Sequence, residues 1–370
     1  MAIASNELKK IKNQIGEAKD IHEDKVRKPL ETYREYYRGN QWNDKLAGHN
    51  KPFRHATVEN LVFSNISTIK PSINLNNPKI FVRPSKKPYQ LEDGTLFNTG
   101  AAAQLLEILL NYYWKSLKLK KQVDKALTDA LLGHWGLIQV GYTFKAEKVK
   151  DGKLLEINSL IREDSPFALR VSPLDLLVDP EATDHNLEDA NWIAIRWEKD
   201  LEVVKRNPKY TGTGNLKPNL TTDDSDNKQE KSLNLGKGFG DDDKPYRDRV
   251  EGYTYYDKVN QKIYDVVLTH DKALSEKDWK LKSNNFSIKT LYFNENPDEL
   301  LPISDVSIYK PQQDELNRLR SLQLSHVERV SKRAFITSQG NLPAEEKTKL
   351  THGPDGVIIE AQRGPDSVVP

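Results

Sequence analysis

The feature that most constrains this chain is a change of hydrophobic period at residues 132–137. From about Thr99 to Leu132, apolar residues recur at helical spacing. Leu105, Leu106, Leu109, Tyr113, Leu117, Val123, Ala126, Leu127 and Ala130 give a broad apolar face. Gly133 and Gly136 end it. From Leu137 to Phe144 the apolar residues alternate instead, which places Ile138, Val140, Tyr142 and Phe144 on one face of a strand. Further strands are expected at Leu154–Ile161, Phe167–Val171 and Trp192–Trp197. This half is mixed helix and sheet, and the expected fold class is α+β.

The flanking segments extend that reading. Residues 6–28 form an amphipathic helix, with Leu8, Ile11, Ile15 and Ala18 at spacings of three and four, until Pro29 interrupts it. A short aromatic helix with Tyr33, Tyr36 and Tyr37 follows, and Gly39 can stop it in a left-handed conformation. A helix from Asn60 to Ile69 stops before Pro71. Ile80, Phe81 and Val82 form a small strand between Pro78 and Pro84. Trp192 and Trp197 lie an odd number of residues apart on one strand, so they face opposite sides of the sheet, and at least one is core.

Residues 211–245 break the pattern. Gly212, Gly214, Gly236, Gly238 and Gly240 alternate with acidic runs at Asp223, Asp224, Asp226 and Asp241–Asp243, which reads as a mobile loop. From Val250 to Leu268 the alternation returns. Tyr253 and Tyr255 face one way, and a turn at Lys258–Gln261 lets Ile263 and Val267 pair back as a hairpin.

Pro311 sits where a helix should begin. Residues 312–335 repeat at helical spacing through Leu316, Leu319, Leu322, Val327, Val330 and Ala334, for a length of roughly 36 Å. On a helical projection Leu316, Leu319, Val327, Val330 and Ala334 share one side. Arg318, Arg329, Lys332 and Arg333 gather in an arc on the other. Asp314 and Glu315 precede them at the first turn, so one reading is a solvated face that complements the helix dipole. The other is an apolar stripe packed on neighbouring helices, with the basic arc meeting DNA phosphates or an adjacent subunit's acids. One more strand is expected at Val357–Glu360.

Composition limits the chemistry. The 370 residues are 30% charged and 36% hydrophobic, with a mean hydropathy of -0.73. Cores are therefore thin, as in an elongated molecule or a subunit that completes its burial against neighbours. The net charge of +2 announces no nucleic-acid binder, so any DNA contact must be local. The absence of cysteine excludes disulfides, thiolate zinc sites and cysteine nucleophiles. The polar start, with Lys9, Lys10 and Lys12, is no signal peptide, and no stretch approaches about 18 consecutive apolar residues, so no membrane span is expected.

Catalytic motifs are weak or missing. Gly236–Gly240 is glycine-rich but lacks the Walker spacing and its Lys-Ser/Thr pair. The acidic run at Asp223–Asp226 lacks the glycine and terminal glutamate of a calcium loop. No pair of histidines has zinc-helix spacing, and His134 beside Trp135 reads as a structural histidine. Asp179-Pro180 reads as a turn ahead of a catalytic aspartate. No catalytic residue, cofactor or metal is assigned.

Three ordered segments resemble tailed-phage portal proteins, the head-to-tail connector ring subunits. The first is Tyr36-Tyr37-Arg38-Gly39-Asn40-Gln41-Trp42 followed by Val58-Glu59-Asn60-Leu61-Val62. The second is the helix-glycine-strand junction from Asp129 through Gly133-His134-Trp135-Gly136 to Tyr142. The third runs from Val171-Ser172-Pro173-Leu174-Asp175 through Asp179-Pro180-Glu181-Ala182, a tryptophan strand at Ala190–Ile193, and a charged helix around Trp197–Lys205. Together they cover roughly residues 30–335.

The resemblance implies a wing over 1–197, a first stem helix region and mobile loop over 198–249, and a β-rich clip over 250–310. A second stem helix would span 311–337. Residues 338–370 would begin the tunnel loop and wing return, with the helical crown missing. It implies a non-enzymatic, dodecameric homo-oligomeric ring at a capsid vertex of the virion, assembled in the host cytoplasm. Double-stranded DNA would pass through it in packaging and ejection. The implied partners are terminase, a head-tail connector, and the major capsid or scaffolding protein. Two rival functions are a nucleic-acid processing enzyme, which would need a metal-carboxylate site or an ATP loop, and another head-tail connector or minor capsid protein.

Overall fold

The computed structural model describes residues 5–42, 56–73, 78–84, 89–90, 96–97, 99–146, 161–220, 248–279, 285–331, 336–337, 344–345, 348 and 368–369. The chain is mixed helix and sheet, as an α+β protein. It divides into two compact units. One comprises Met1–Arg34 and Ser64–Ile308, the other Glu35–Phe63 and Tyr309–Pro370.

The first unit is built around an antiparallel meander. Its strands are β5 (Leu176–Val178), β6 (Trp192–Asp200), β7 (Arg249–Asp257), β8 (Lys262–Val266) and β9 (Ser275–Asp278), in sequence order across the sheet. Alternation gives the sheet two apolar faces. Leu177, Trp192, Ala194, Tyr253, Tyr255, Tyr264 and Val266 pack against Leu8, Ile11, Ile15 and Ala18 of helix α1 (Ser5–His22). Leu176, Val178, Ile193, Ile195, Tyr256 and Ile263 pack on the opposite side with Trp135, Leu137, Val171 and Ile288.

Leu137, Val171 and Ile288 belong to a second antiparallel sheet, and Trp135 immediately precedes one of its strands. This sheet is made of β10 (Ile288–Leu291), β3 (Gly136–Ala146) and β4 (Ile161–Val171) in that order. Helix α5 (Leu119–Leu132) lies against β3 and β4 and buries Ala126, Leu127, Ala130 and Leu131. Asp129 on this helix takes two hydrogen bonds from the Arg170 guanidinium, at 2.5 and 2.6 Å. Burial pushes the Asp129 carboxyl up, with Arg170 opposing. The fork pins helix to strand.

Several expectations are met. The buried stripe of α1 is the one its periodicity marks, and β7 and β8 form the hairpin, with Tyr255 opposite Tyr264 and Tyr256 opposite Ile263. Tyr253 and Tyr255 are both buried on the α1 side. Trp192 stacks on Tyr255 at 5.2 Å between centroids, while Trp197 stacks on Tyr210 at 6.3 Å in a separate cluster with Leu201 and Val204. Gly39 is left-handed, with φ +79°, where a side chain would be strained. His134 bonds the carbonyl of Pro302 through Nδ1 at 2.9 Å, and Asp179 forms a turn, accepting the N–H groups of Glu181 and Asn191.

Other expectations need correction, mostly at proline. Pro29 does not interrupt the first helix. A π-helical turn at Glu23–Arg27, in which the N–H of Lys28 reaches back to Glu23, carries the chain into α2 (Lys28–Arg38). Pro71 lies inside α3 (Leu61–Ile73), near its end, where one lost N–H bond is tolerated. Pro311 lies inside a helix, α7, that starts at Asp305. The helix expected around Trp197–Lys205 is strand to Asp200, then the six-residue helix α6 (Leu201–Arg206).

The region Thr99–Leu132 is two helices, α4 (Thr99–Ser116) and α5, because Lys118 takes a left-handed φ of 52°. Ile80–Val82 is no strand: its peptide groups bond to side chains of α4. On β3, Val140 and Tyr142 are exposed, and Leu137 is the core residue. Residues 211–220 are anchored by buried Leu216 and Leu220, and Leu220 bridges Arg249. Residues 221–247, including Asp223–Asp226 and Gly236–Gly240, lie outside the described residues, as do residues 154–160 of the strand expected at Leu154–Ile161, and Val357–Glu360. β6 and β7 pair along nine residues from Trp192↔Asp257 to Asp200↔Arg249, so one sheet runs across positions 197 and 250.

Candidate subunit and nucleic-acid interface

The candidate residues of the sequence reading lie on or just beyond helix α7 (Asp305–Ser331). An amphipathic helix normally buries its apolar stripe. Here the burial is inverted. Gln313, Asn317 and Ser321 are 0%, 1% and 0% exposed, whereas Leu319, Val327 and Val330 are 56%, 60% and 69% exposed.

The buried polar groups are matched to a backbone. Gln313 Oε1 accepts the N–H of Leu61 at 3.0 Å, and its Nε2 donates to the carbonyl of Glu59. Asn317 Oδ1 accepts the N–H of Glu59 at 3.0 Å, and its Nδ2 donates to Gln41 Oε1. Ser321 Oγ accepts the N–H of Thr57 at 3.0 Å and donates to the carbonyl of Asn317 at 2.8 Å. The segment 57–61 thus lies along the helix, with alternate N–H groups taken by side chains one turn apart. Trp42 Nε1 fixes it further by donating to the carbonyl of Thr57 at 2.9 Å.

Charge is arranged at the sides of this ladder. Tyr36 donates to Asp314 Oδ1 at 2.5 Å, and the Lys310 ammonium lies 3.1 Å from Asp314 Oδ2 and 5.0 Å from the Tyr36 ring centroid. Burial, then the bond to Asp314, pushes the Tyr36 hydroxyl far above its ordinary value. Arg320 pairs with Glu59 at 2.8 Å, but both are open to water, so the pair contributes little.

Of the four basic candidates, Arg318 is exposed on α7. Arg329 is within the helix, but its side chain, like all of Lys332 and Arg333, lies outside the described residues. Leu316 is half-buried, and Leu319, Leu322, Val327 and Val330 are exposed. The polar ladder was missed from sequence. Its signal was available: Gln313, Asn317 and Ser321 repeat every four residues, on the side opposite Leu319 and Leu322.

Among the described residues the arrangement offers surfaces for binding. Among the described residues no three His, Asp or Glu side chains are grouped to hold a metal ion. A cleft of the first unit, lined by Glu7, Lys10, Glu17, Asp179, Glu181 and Asp257 among others, is acidic. Its buried acids are spent on turns: Asp257 accepts the N–H groups of Val259 and Asn260, as Asp179 does at its own turn. No helix among the described residues is long and apolar enough to cross a membrane.

A family model for phage P22-like portal proteins matches residues 17–368. The chain belongs to that family. The match spans both compact units and includes α7 and the segment clamped to it. No curated protein matches the chain.

Proposed function

We propose that this chain is a structural subunit of a closed ring at one capsid vertex of the virion, with no catalytic role of its own. The ring is dodecameric in this reading and assembles in the host cytoplasm. DNA passes through its axial hole during packaging and ejection, driven by a separate terminase that docks on it. A head-tail connector and the major capsid or scaffolding protein contact its rim. The observation that carries the reading, beside family membership, is the outward apolar face of α7. A contiguous exposed apolar face of this kind marks a surface on which a partner docks.

In this reading residues 311–337 are the stem helix and 1–197 the wing. The pairing of β6 with β7 argues for treating 250–310 as part of that wing sheet rather than as a separate clip, with 198–249 a connection within it. The basic arc of Arg318, Arg329, Lys332 and Arg333 meets DNA phosphates or an adjacent subunit's acids. A few dispersed bases suit DNA that must slide, because each phosphate contact adds to affinity.

The double substitution Arg329→Glu with Lys332→Glu tests this assignment. The isolated fold should keep its stability within about 0.5 kcal/mol, as for surface changes. Ring assembly or DNA packaging should be lost. Normal rings that package normally would reduce the arc to a solvated face.

A further inference from the structure

Two helices of this chain have their polar faces occupied by the same device. On α4, Glu107 Oε2 accepts the N–H of Val82 at 3.2 Å, and Asn111 holds both the N–H and the carbonyl of Ile80, at 3.1 and 2.9 Å. On α7, Gln313, Asn317 and Ser321 hold the N–H groups of Leu61, Glu59 and Thr57. Four residues of helix rise about 6 Å. Two residues of extended chain rise about 6.6 Å. Side chains at i and i+4 therefore meet alternate peptide groups of a segment running antiparallel to the helix.

The consequence is the same in both places. The polar face is committed to backbone groups, and rotating the apolar face inward would break those bonds. On α4 this leaves Leu105, Ile108 and Tyr112 at 70%, 68% and 62% exposure, with Leu106 and Leu109 beside them. On α7 it leaves Leu319, Leu322 and Val330.

We infer that the Leu105–Ile108–Tyr112 face of α4 docks on the Leu319–Leu322 face of α7 in a second copy of this chain. The inference rests on the ring reading above. A closed ring needs a head-to-tail contact between two different, complementary patches. These two faces fit that need in period and in charge. Residues 105, 108, 112 and 115 are spaced three, four and three apart; residues 315, 319, 322 and 326 are spaced four, three and four apart. Both are heptad seams. Laid antiparallel, Tyr112 meets Leu319, Ile108 meets Leu322, and exposed Lys115 meets exposed Glu315. Laid parallel, Lys115 falls at the far end from Glu315. Charge thus selects the antiparallel arrangement.

The chain has no cysteine, so introduced thiols report cleanly. The test is thiol cross-linking of the full chain carrying Ile108→Cys and Leu322→Cys together, read on a denaturing gel, with sedimentation of the same samples. Both positions are exposed, so the fold should tolerate them. The expected result is a ladder of covalent multimers from the double variant, no cross-link from either single variant, and dimers only from an equal mixture of the two. The pair Tyr112→Cys with Leu319→Cys should repeat the ladder. Linkage of Ile108→Cys to itself, or a link confined to one chain, would overturn the contact. So would a sedimenting ring that forms no 108–322 link, and that result leaves the ring reading standing. A chain that sediments as a monomer and forms no link overturns both.

Discussion

Asn317 Oδ1 accepts the backbone N–H of Glu59 at 3.0 Å, which places an amide at a position whose burial would otherwise suit a leucine. Asn317 is buried, and its Nδ2 is also committed, to Gln41 Oε1. Replacing it with leucine would add an apolar residue to a buried site, yet strand two polar partners. We predict that Asn317→Leu lowers stability by about 1–3 kcal/mol for each stranded group. The urea midpoint should fall with little change in slope. An unchanged midpoint would mean the ladder holds nothing.

Trp197 and Gly252 are coupled. A Cβ placed on Gly252 would lie 2.3 Å from the Trp197 ring, which covers that glycine from the paired strand. Gly252→Ala should cost about 1–3 kcal/mol by overpacking. In a Trp197→Ala background the same change should cost clearly less. Thermal denaturation of the four proteins measures the cycle; strict additivity would refute the close approach. Trp192→Ala, which removes the ring stacked on Tyr255, should cost about 3–5 kcal/mol.

His22 and His134 set an acid limit on the first unit. His22 lies against the carbonyl of Pro173 at 2.9 Å, and burial pushes its imidazole below the ordinary value. Burial does the same to His134, with the carbonyls of Pro302 and Lys25 working the other way. The unfolded chain therefore takes up protons first, at about pH 6.5. Stability should hold above that pH and fall as pH drops from it towards the folded-state values. Urea midpoints between pH 7.5 and 5 should show this decline, and His22→Asn with His134→Asn should flatten it. An equal decline in the double variant would assign the acid sensitivity elsewhere.

Local periodicity made part of this fold legible. The buried stripe of α1, the hairpin from Val250 and the opposed faces of Trp192 and Trp197 each follow from spacing within one element. Proline misled. Pro29, Pro71 and Pro311 read as boundaries, but each lies within continuous helix because a π turn or a single lost bond absorbs the missing N–H. The pairing of Gly136–Gln139 with Ile288–Leu291 joins segments about 150 residues apart. No local pattern specifies such a pair. Helix α7 shows the sharper limit. Period tells which side chains share a face, and Leu316, Leu319, Val327 and Val330 do share one. Which face is covered depended on Thr57, Glu59 and Leu61, whose backbone groups carry no signature in the sequence.

The central claim is that this chain is a ring subunit, and its assembly state tests that most directly. The measurement is the solution mass of the purified chain by sedimentation, with negative-stain images of the same sample. The account predicts a species many times the 42.4 kDa of one chain, seen as a ring with a central hole. A stable 42.4 kDa monomer at every concentration, above all one with metal-dependent nuclease activity, would contradict it.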